Sequence, residues 1–408
     1  MTKPETKFKE TEIETIPKGW SVLTLNQAVD LNPKRGIKKG DEVKFVAMTE
    51  VEVFNKKIPS YAKRKFIGGS RFKNGDTLMA RITPCLENGK TAFVDFLEKD
   101  EVGGGSTEFI VLSGKNGVSD SDFVYYLTIS PNVRNVAIKA MTGTSGRQRV
   151  ENDKFGSYIV TLPSIKEQKQ IAEILSSLDD KIELNRQINA NLEKLASSLF
   201  KQWFVNFEFP NDDGKPYKSS GGKMINSELG EIPEGWKIVE LGTIADIEWG
   251  DLTITKASYV DDGFNTFSAS GQDGLLDHFD FDRTGIVISA IGANCGETWL
   301  AYGKWSCIKN TIRFWSRSNL NTEFLFILTK GQHFWPRRGS AQPFISLSDA
   351  REIKVVFPKG EIATRMNEFF SSTFLAIYKN GQENKSLSKT RDSLLPQLMS
   401  GRIRTKSI

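Results

Sequence analysis

Along residues 171–203 and again along 366–398, mostly apolar side chains recur at spacings that alternate between four and three. The first series is Ile171, Leu175, Leu178, Ile182, Asn185, Asn189, Leu192, Ala196, Leu199 and Trp203. The second lies at a constant offset of 195: Met366, Phe370, Thr373, Ile377, Asn380, Asn384, Leu387, Arg391, Leu394 and Leu398. A repeat averaging 3.5 residues is the seam of a coiled coil. Both seams carry two asparagines at mid-length, and Arg391 interrupts the second. An asparagine in an apolar seam costs stability but fixes register, because slippage would bury its amide unpaired. If the two helices run antiparallel, the pattern predicts that Asn185 faces Asn384 and Asn189 faces Asn380.

Outside the helices the hydrophobic runs are short and bounded by turn residues. Val43–Ala47 and Gly75–Ile82 read as strands, and Asp122–Ile129 as a helix. These features return. Gly285–Ile291 takes the place of the second strand and Phe324–Thr329 that of the helix. Ile16-Pro17-x-Gly19-Trp20 followed by Leu25 reappears as Ile232-Pro233-x-Gly235-Trp236 followed by Leu241. Leu162-Pro163 ahead of the first long helix reappears as Phe357-Pro358 ahead of the second. The chain is therefore written twice, and internal pseudo-two-fold symmetry is expected.

The expected class is α+β: two similar mixed α/β domains and two long antiparallel helices. The predicted boundaries are 1–163 for the first domain, 164–209 for its helix, 210–231 for a linker, 232–358 for the second domain and 359–408 for the second helix and tail. The linker is placed by its turn formers, Pro210-Asn211-Asp212-Asp213-Gly214 through Ser219-Ser220-Gly221-Gly222. Between the copies the frame repeats and the loops do not, as expected of one scaffold carrying two recognition surfaces.

Composition narrows the chemistry. The N-terminal stretch Met1–Glu14 is charged and has no apolar core, so a secretory signal is not expected. Three cysteines and two histidines offer no metal-ligand spacing, and so sparse a set fits reduced thiols in a cytoplasm. Cys85, Cys295 and Cys307 read as packing residues. Asn88-Gly89-Lys90-Thr91 resembles the end of a phosphate loop, but Pro84 stands where the first glycine is required, which rules the motif out. There is no Pro-Pro, no His-Glu-x-x-His and no Gly-x-Ser-x-Gly. No catalytic centre and no cofactor are expected.

The repeated pieces resemble the specificity subunit of type I restriction-modification systems over nearly the whole chain. The resemblance rests on both Ile-Pro-x-Gly-Trp segments and on Glu167-Gln168-x-x-Ile171-Ala172-x-Ile174-Leu175 after Leu162-Pro163. It rests also on Asn185 with Leu192, on the Phe357-Pro358 helix, and on Leu394-Leu395-Pro396-Gln397-Leu398-Met399-Ser400-Gly401. It implies two target recognition domains, each reading one half of an asymmetric bipartite sequence in double-stranded DNA, with the helices setting the gap. The partners it implies are two modification subunits, which bind S-adenosylmethionine and methylate adenine, and two restriction subunits, which hydrolyse ATP and cleave DNA. Ile171 to Trp203 spans about 50 Å at roughly 1.5 Å per residue, enough to serve grooves about 34–36 Å apart. By the same repeat logic, a fragment of roughly residues 1–210 is expected to dimerise through its helix.

Phosphate contacts position a protein on DNA, and base-edge contacts read sequence. In the first domain the candidates are Lys34, Arg35 and Lys38, then Arg64, Arg71, and the loop residues Arg147, Gln148 and Arg149. In that loop glycines permit close approach, arginine can pair guanine and glutamine can pair adenine. In the second domain they are Ser270, Gln272, His278, Lys309, Arg337, Arg338 and Gln342. Residues 232–356 are net acidic, so the cluster Arg337-Arg338, with Lys309 and Arg313, must supply the local positive field. The alternative is a scaffold that pairs two copies of a partner protein without touching DNA. Contact loops on such a scaffold should repeat, and these diverge.

Overall fold

The computed structural model describes residues 8–10, 15–144 and 146–405. The chain divides into two compact units, Met1–Asn185 with Gln382–Ile408, and Arg186–Gly381. Each unit holds one α/β domain and half of each long helix, so the units are cut across the predicted domain boundaries.

Each domain contains two four-stranded sheets, and the two copies match strand for strand. In the first domain one sheet runs Val29–Leu31, Phe109–Gly114, Asp76–Ala80, Thr91–Phe93, antiparallel throughout. Its counterpart in the second runs Ala245–Trp249, Thr311–Ser316, Gly285–Ser289, Thr298–Ala301, also antiparallel. The other sheet orders Ala62–Lys65, Glu42–Val46, Gly103–Gly105 and Ser70–Phe72, with its middle pair parallel. In the second domain Gly271–Leu276, Phe264–Ser268, Lys304–Cys307 and Phe281–Asp282 repeat that order and that parallel pair. Asp76–Ala80 and Gly285–Ser289 are buried along their whole length, which is why both read as unbroken apolar runs apart from their ends.

A crossover helix covers each sheet: Ser121–Ile129 in the first domain and Thr322–Thr329 in the second. Asp120 caps one by accepting from the Phe123 N–H, and Asn321 caps the other by accepting from the Phe324 N–H. Each cap is also tied to a long helix. The Asp120 N–H donates to Gln168 Oε1 at 2.8 Å, and the Asn321 N–H donates to Asn367 Oδ1 at 2.8 Å.

The long helices are Ile165–Phe200 and Glu361–Met399. In the first unit Ile171, Ala172 and Leu175 join Leu395 and Leu398 in the domain core. In the second unit Ala196 joins Ile362, Ala363, Met366, Phe370 and Phe374. A fully buried Leu, Ile or Phe contributes about 1.5–3 kcal/mol, so these positions dominate the attachment of domain to helix. The first helix ends earlier than expected, in a π-turn at Lys201–Val205. There Phe200 stacks on Phe204 at 5.0 Å and Phe204 meets Trp236 at 5.6 Å, so aromatic packing replaces the last turn of the seam. Within the expected linker, Tyr217 stacks on the buried Phe209, which in turn stacks on Trp236, and Met224–Ser227 pairs with Gly230–Pro233.

The root of each helix explains the duplicated tryptophans as packing anchors. Trp20 donates its indole N–H to Glu167 at 3.2 Å, and Arg404 pairs with the same carboxylate. Gly401, at φ +69°, permits that tail to close on the domain, since a Cβ there would lie 2.2 Å from Pro17.

Candidate nucleic-acid interface

In the first domain, Lys34, Gly69, Ser70, Arg71, Arg81 and Thr107 line an open cleft of about 320 Å³. Gly69 lies at φ +128°, and a Cβ there would meet the Gly105 carbonyl oxygen at 2.0 Å, so only glycine fits this wall. Arg71 and Lys34 are exposed, and the Arg71 guanidinium rests 5.2 Å from the Phe66 ring. Arg81, not singled out from the sequence, follows a buried strand and donates to the Val150 carbonyl at 2.9 Å. It links the cleft to Val150, the residue that follows the loop 143–149, of which Ser145 lies outside the described residues.

That loop is held at its base. The Gln148 N–H donates to Thr83 Oγ1 at 3.1 Å, the Thr83 N–H returns a bond to the Gln148 carbonyl, and Ile82 bridges Arg149. Arg149 forks onto Glu108, with contacts of 2.7, 3.0 and 3.1 Å, and the carboxylate holds the guanidinium pKa above its usual range. Arg147 is exposed and has no ion-pair partner among the described residues.

Not every basic residue faces solvent. Arg35 turns inward, donating to Asp76 at 2.7 Å and to Ser113 at 3.2 Å. Burial raises the Asp76 carboxyl pKa against the opposing pull of the Lys73 N–H and Arg35. Arg35 is therefore turned toward a buried acid rather than toward solvent. The Arg64 guanidinium carbon lies 3.3 Å from the centre of the Phe45 ring, on the exposed edge strand Ala62–Lys65. Lys38 is exposed on a turn closed by its own N–H donating to Asp41 at 2.8 Å.

In the second domain three loops are joined into one surface. Asn294, another residue missed in the sequence, donates to the Ala269 carbonyl at 3.1 Å, tying 292–296 to the turn that carries Ser270. The Gly292 N–H donates to the Pro343 carbonyl at 2.9 Å, tying the same segment to the arginine loop. Arg338 and Phe344 exchange two backbone bonds of 2.9 Å, closing 339–343 into a loop that carries exposed Gln342. Its base is Trp335, buried and donating to the Thr329 carbonyl at 3.1 Å. Arg338 pairs with Asp349 at 2.5 Å, while Arg337 stays exposed and donates to Gln332 at 3.3 Å.

Gln272 donates to Asn265 at 2.9 Å, and Lys309 is exposed. His278 pairs with Asp277 at 2.7 Å, which raises the imidazole pKa above its ordinary value. Arg313 corrects the expectation for this domain. It lies 4.3 Å from the Trp315 ring and 3.5 Å from Asp246, only 15% exposed, so it adds little surface field.

Between the helices, Asn185 donates to Asn384 at 2.9 Å and to Glu383 at 2.8 Å in the first unit. In the second unit Asn380 donates to Asn189 at 2.8 Å, and Asn189 donates to the Ile377 carbonyl at 3.2 Å. Within the first unit Asp179 meets Arg391 and Asn185 meets Asn384, so as residue numbers rise on one helix those of its partners fall and the two run antiparallel there.

A sequence-family model described as type I restriction modification DNA specificity domain matches residues 17–194 and 233–387. The chain belongs to that family. Its two matches coincide with the two copies of the fold, and as a specificity subunit it recognises DNA. Among relatives, the MjaIX type I restriction enzyme specificity subunit of Methanocaldococcus jannaschii is 25% identical, over 99% of this chain and 98% of its own. The HindI specificity subunit of Haemophilus influenzae is 26% identical over 85% of this chain and 89% of its own. The solved type I S subunit of M. genitalium shares the fold, with TM-score 0.57 at 16% identity over 93% of this chain and 96% of that one. The reading as a scaffold that avoids DNA is not favoured. No helix among the described residues is long and apolar enough to cross a membrane.

Proposed function

We propose that each domain reads one half of an asymmetric bipartite DNA target, and that the chain directs adenine methylation and DNA cleavage by partner subunits. Two modification and two restriction subunits complete the assembly in this reading, and this chain contributes no catalytic group. The observation that carries it is the contrast between a frame repeated strand for strand and loops that do not share sequence. Identical partners would select identical loops; two unlike half-sites select unlike ones.

In the first domain Lys34, Lys38, Arg64, Arg71 and Arg81 contact phosphates, while Arg147, Gln148 and Arg149 reach base edges. In the second, Lys309 and His278 contact phosphates, and Ser270, Gln272, Arg337, Arg338 and Gln342 face bases. Glu108 and Asp349 hold one arginine of each loop in place, which lowers the ordering cost of binding.

The test is a DNA-binding titration of the complex with its modification subunits at stepped salt. Binding should weaken linearly on a log–log scale as phosphate contacts release counterions. The double variants Arg147→Ala/Arg149→Ala and Arg337→Ala/Arg338→Ala should each lose site-specific binding while the complex still assembles. Unchanged binding by both would reject the loop assignment.

A further inference from the structure

In the first unit, the helix–helix contact contains a buried ion pair that the repeat does not reproduce. Asp179 on the first helix and Arg391 on the second meet at 2.6 Å, each only 7% exposed. The Tyr126 hydroxyl donates to the other Asp179 oxygen at 2.6 Å, and Arg391 also reaches Asp392 at 2.8 Å. Burial works against the Arg391 charge, yet Asp179 and Asp392 together raise its pKa above its usual range. The positions matched by the 195-residue offset are Phe374 for Asp179 and Ala196 for Arg391. Both are buried in the second unit's apolar core, where Phe374 packs edge-on against Phe326 at 5.1 Å. The exposed pair Lys181–Glu383, 3.3 Å apart, shows the same asymmetry, its matched positions being Ala376 and Ile188.

The asparagines behave differently. Asn185, Asn189, Asn380 and Asn384 are carried onto one another by the repeat, so pairing two first helices would still set asparagine against asparagine. They fix register but cannot tell one helix from the other. Asp179 can. In a pair of first helices drawn from two copies of the chain, it would face Ala196 and be buried without a cation. In a pair of second helices, Arg391 would face Phe374. The first arrangement strands the Asp179 carboxylate away from water, which proteins tolerate poorly, and the second leaves the buried Arg391 with its neighbour Asp392 but without Asp179.

We propose that the Asp179–Arg391 pair selects the partner of each helix, making the first pair with the second of the same chain and rejecting a second copy of itself. The consequence bears on DNA reading. Self-pairing would join two copies of one domain, and only the mixed pairing keeps two unlike readers in one molecule. This also opposes the expectation, drawn from the repeat alone, that residues 1–210 dimerise readily: the ion pair makes that self-association unfavourable.

The test uses the full chain with a protease site inserted between Asp213 and Gly214, both exposed on the segment after the first helix. After cleavage the two halves are left to exchange, and their pairing is counted by native mass spectrometry. The unsubstituted chain should remain as one-to-one pairs of unlike halves. Asp179→Phe combined with Arg391→Ala, which copies the second unit's chemistry, should let like halves pair and shift the distribution several-fold toward them. Each single reversal, Asp179→Arg or Arg391→Asp, should weaken the pairing of its own halves. Mixing the two cleaved proteins should then enrich the complex between the half carrying Asp179→Arg and the half carrying Arg391→Asp. Unlike halves that stay exclusively paired in the Phe/Ala variant would overturn the proposal. If that variant does not fold, the mixing experiment decides, and no enrichment there would overturn it equally.

Discussion

The roots of the two domains solve one packing problem with opposite chemistry. Around Trp20 the cement is ionic, with Glu167 accepting from the indole and held by Arg404. Around Trp236 it is aromatic, with Phe209 stacked at 5.3 Å, Phe204 at 5.6 Å, and Ile362 standing where Glu167 stands in the first copy. One turn or more along the helices the contrast repeats: Asp179, Tyr126 and Arg391 in one unit, Phe374, Phe326 and Ala196 in the other. Strand order and helix caps are thus held constant while the side chains that glue them drift. Backbone pairing and apolar burial define the frame, and many glues satisfy it. A charged glue adds something an aromatic one lacks, because it discriminates between partners.

The sharpest way to break this comparison is to remove one charge. Arg391→Ala leaves the buried Asp179 carboxylate without its cation, hydrogen-bonded to the Tyr126 hydroxyl, and should destabilise the first unit by about 3–5 kcal/mol. Replacing both charges by leucine should cost far less, and chemical denaturation of the two variants checks the difference. If the single and double variants are equally destabilised, the pair is not a coupled unit. In the second unit Phe374→Ala should cost a similar ~3–5 kcal/mol through cavity formation, with no dependence on salt.

Next in size are the recognition loops. Losing one bidentate base contact should lower affinity for the cognate site roughly tenfold or more, with discrimination relaxed only in the half-site that loop reads. Measured binding to DNAs altered in one half at a time separates the two domains. Asn185→Leu with Asn384→Leu should raise the denaturation midpoint and admit shifted helix pairings, visible as mixed cross-links between cysteines placed along the seams. A rise in stability with a single cross-link pattern would refute the register role.

The smallest effect is electrostatic. Asp277 raises the His278 pKa, so the imidazolium's contribution to stability is full below the ordinary value of 6.5. It is lost as pH rises through the higher folded value. The ring is exposed, so the effect on stability should be slight, but its NMR titration midpoint should lie above 6.5 and return toward it in Asp277→Asn.

Much of this frame was legible in the sequence because periodicity reports burial. The two seams, the strands at Asp76–Ala80 and Gly285–Ser289, and the duplicated tryptophans all follow from spacing. Side-chain partners distant in sequence were not legible. Arg35 sits in a basic run, yet Asp76, 41 residues away, draws it inside. Glu108 and Asp349 give no hint that they steady Arg149 and Arg338. Arg391 looked like a flaw in the second seam because its partner, Asp179, lies one place off the first. The early end of the first helix depends on Phe200, Phe204 and Trp236 meeting, which no local rule encodes.

The central claim, that two unlike readers share one frame, is tested most directly by mapping methylated adenines genome-wide in cells carrying the complete system. The map should be made for the unsubstituted chain and for one whose 143–149 loop is replaced. The account predicts a bipartite site with two unlike specified segments and a fixed gap, of which only one segment changes in the variant. A continuous or palindromic site, or a variant in which both segments change together, would contradict it.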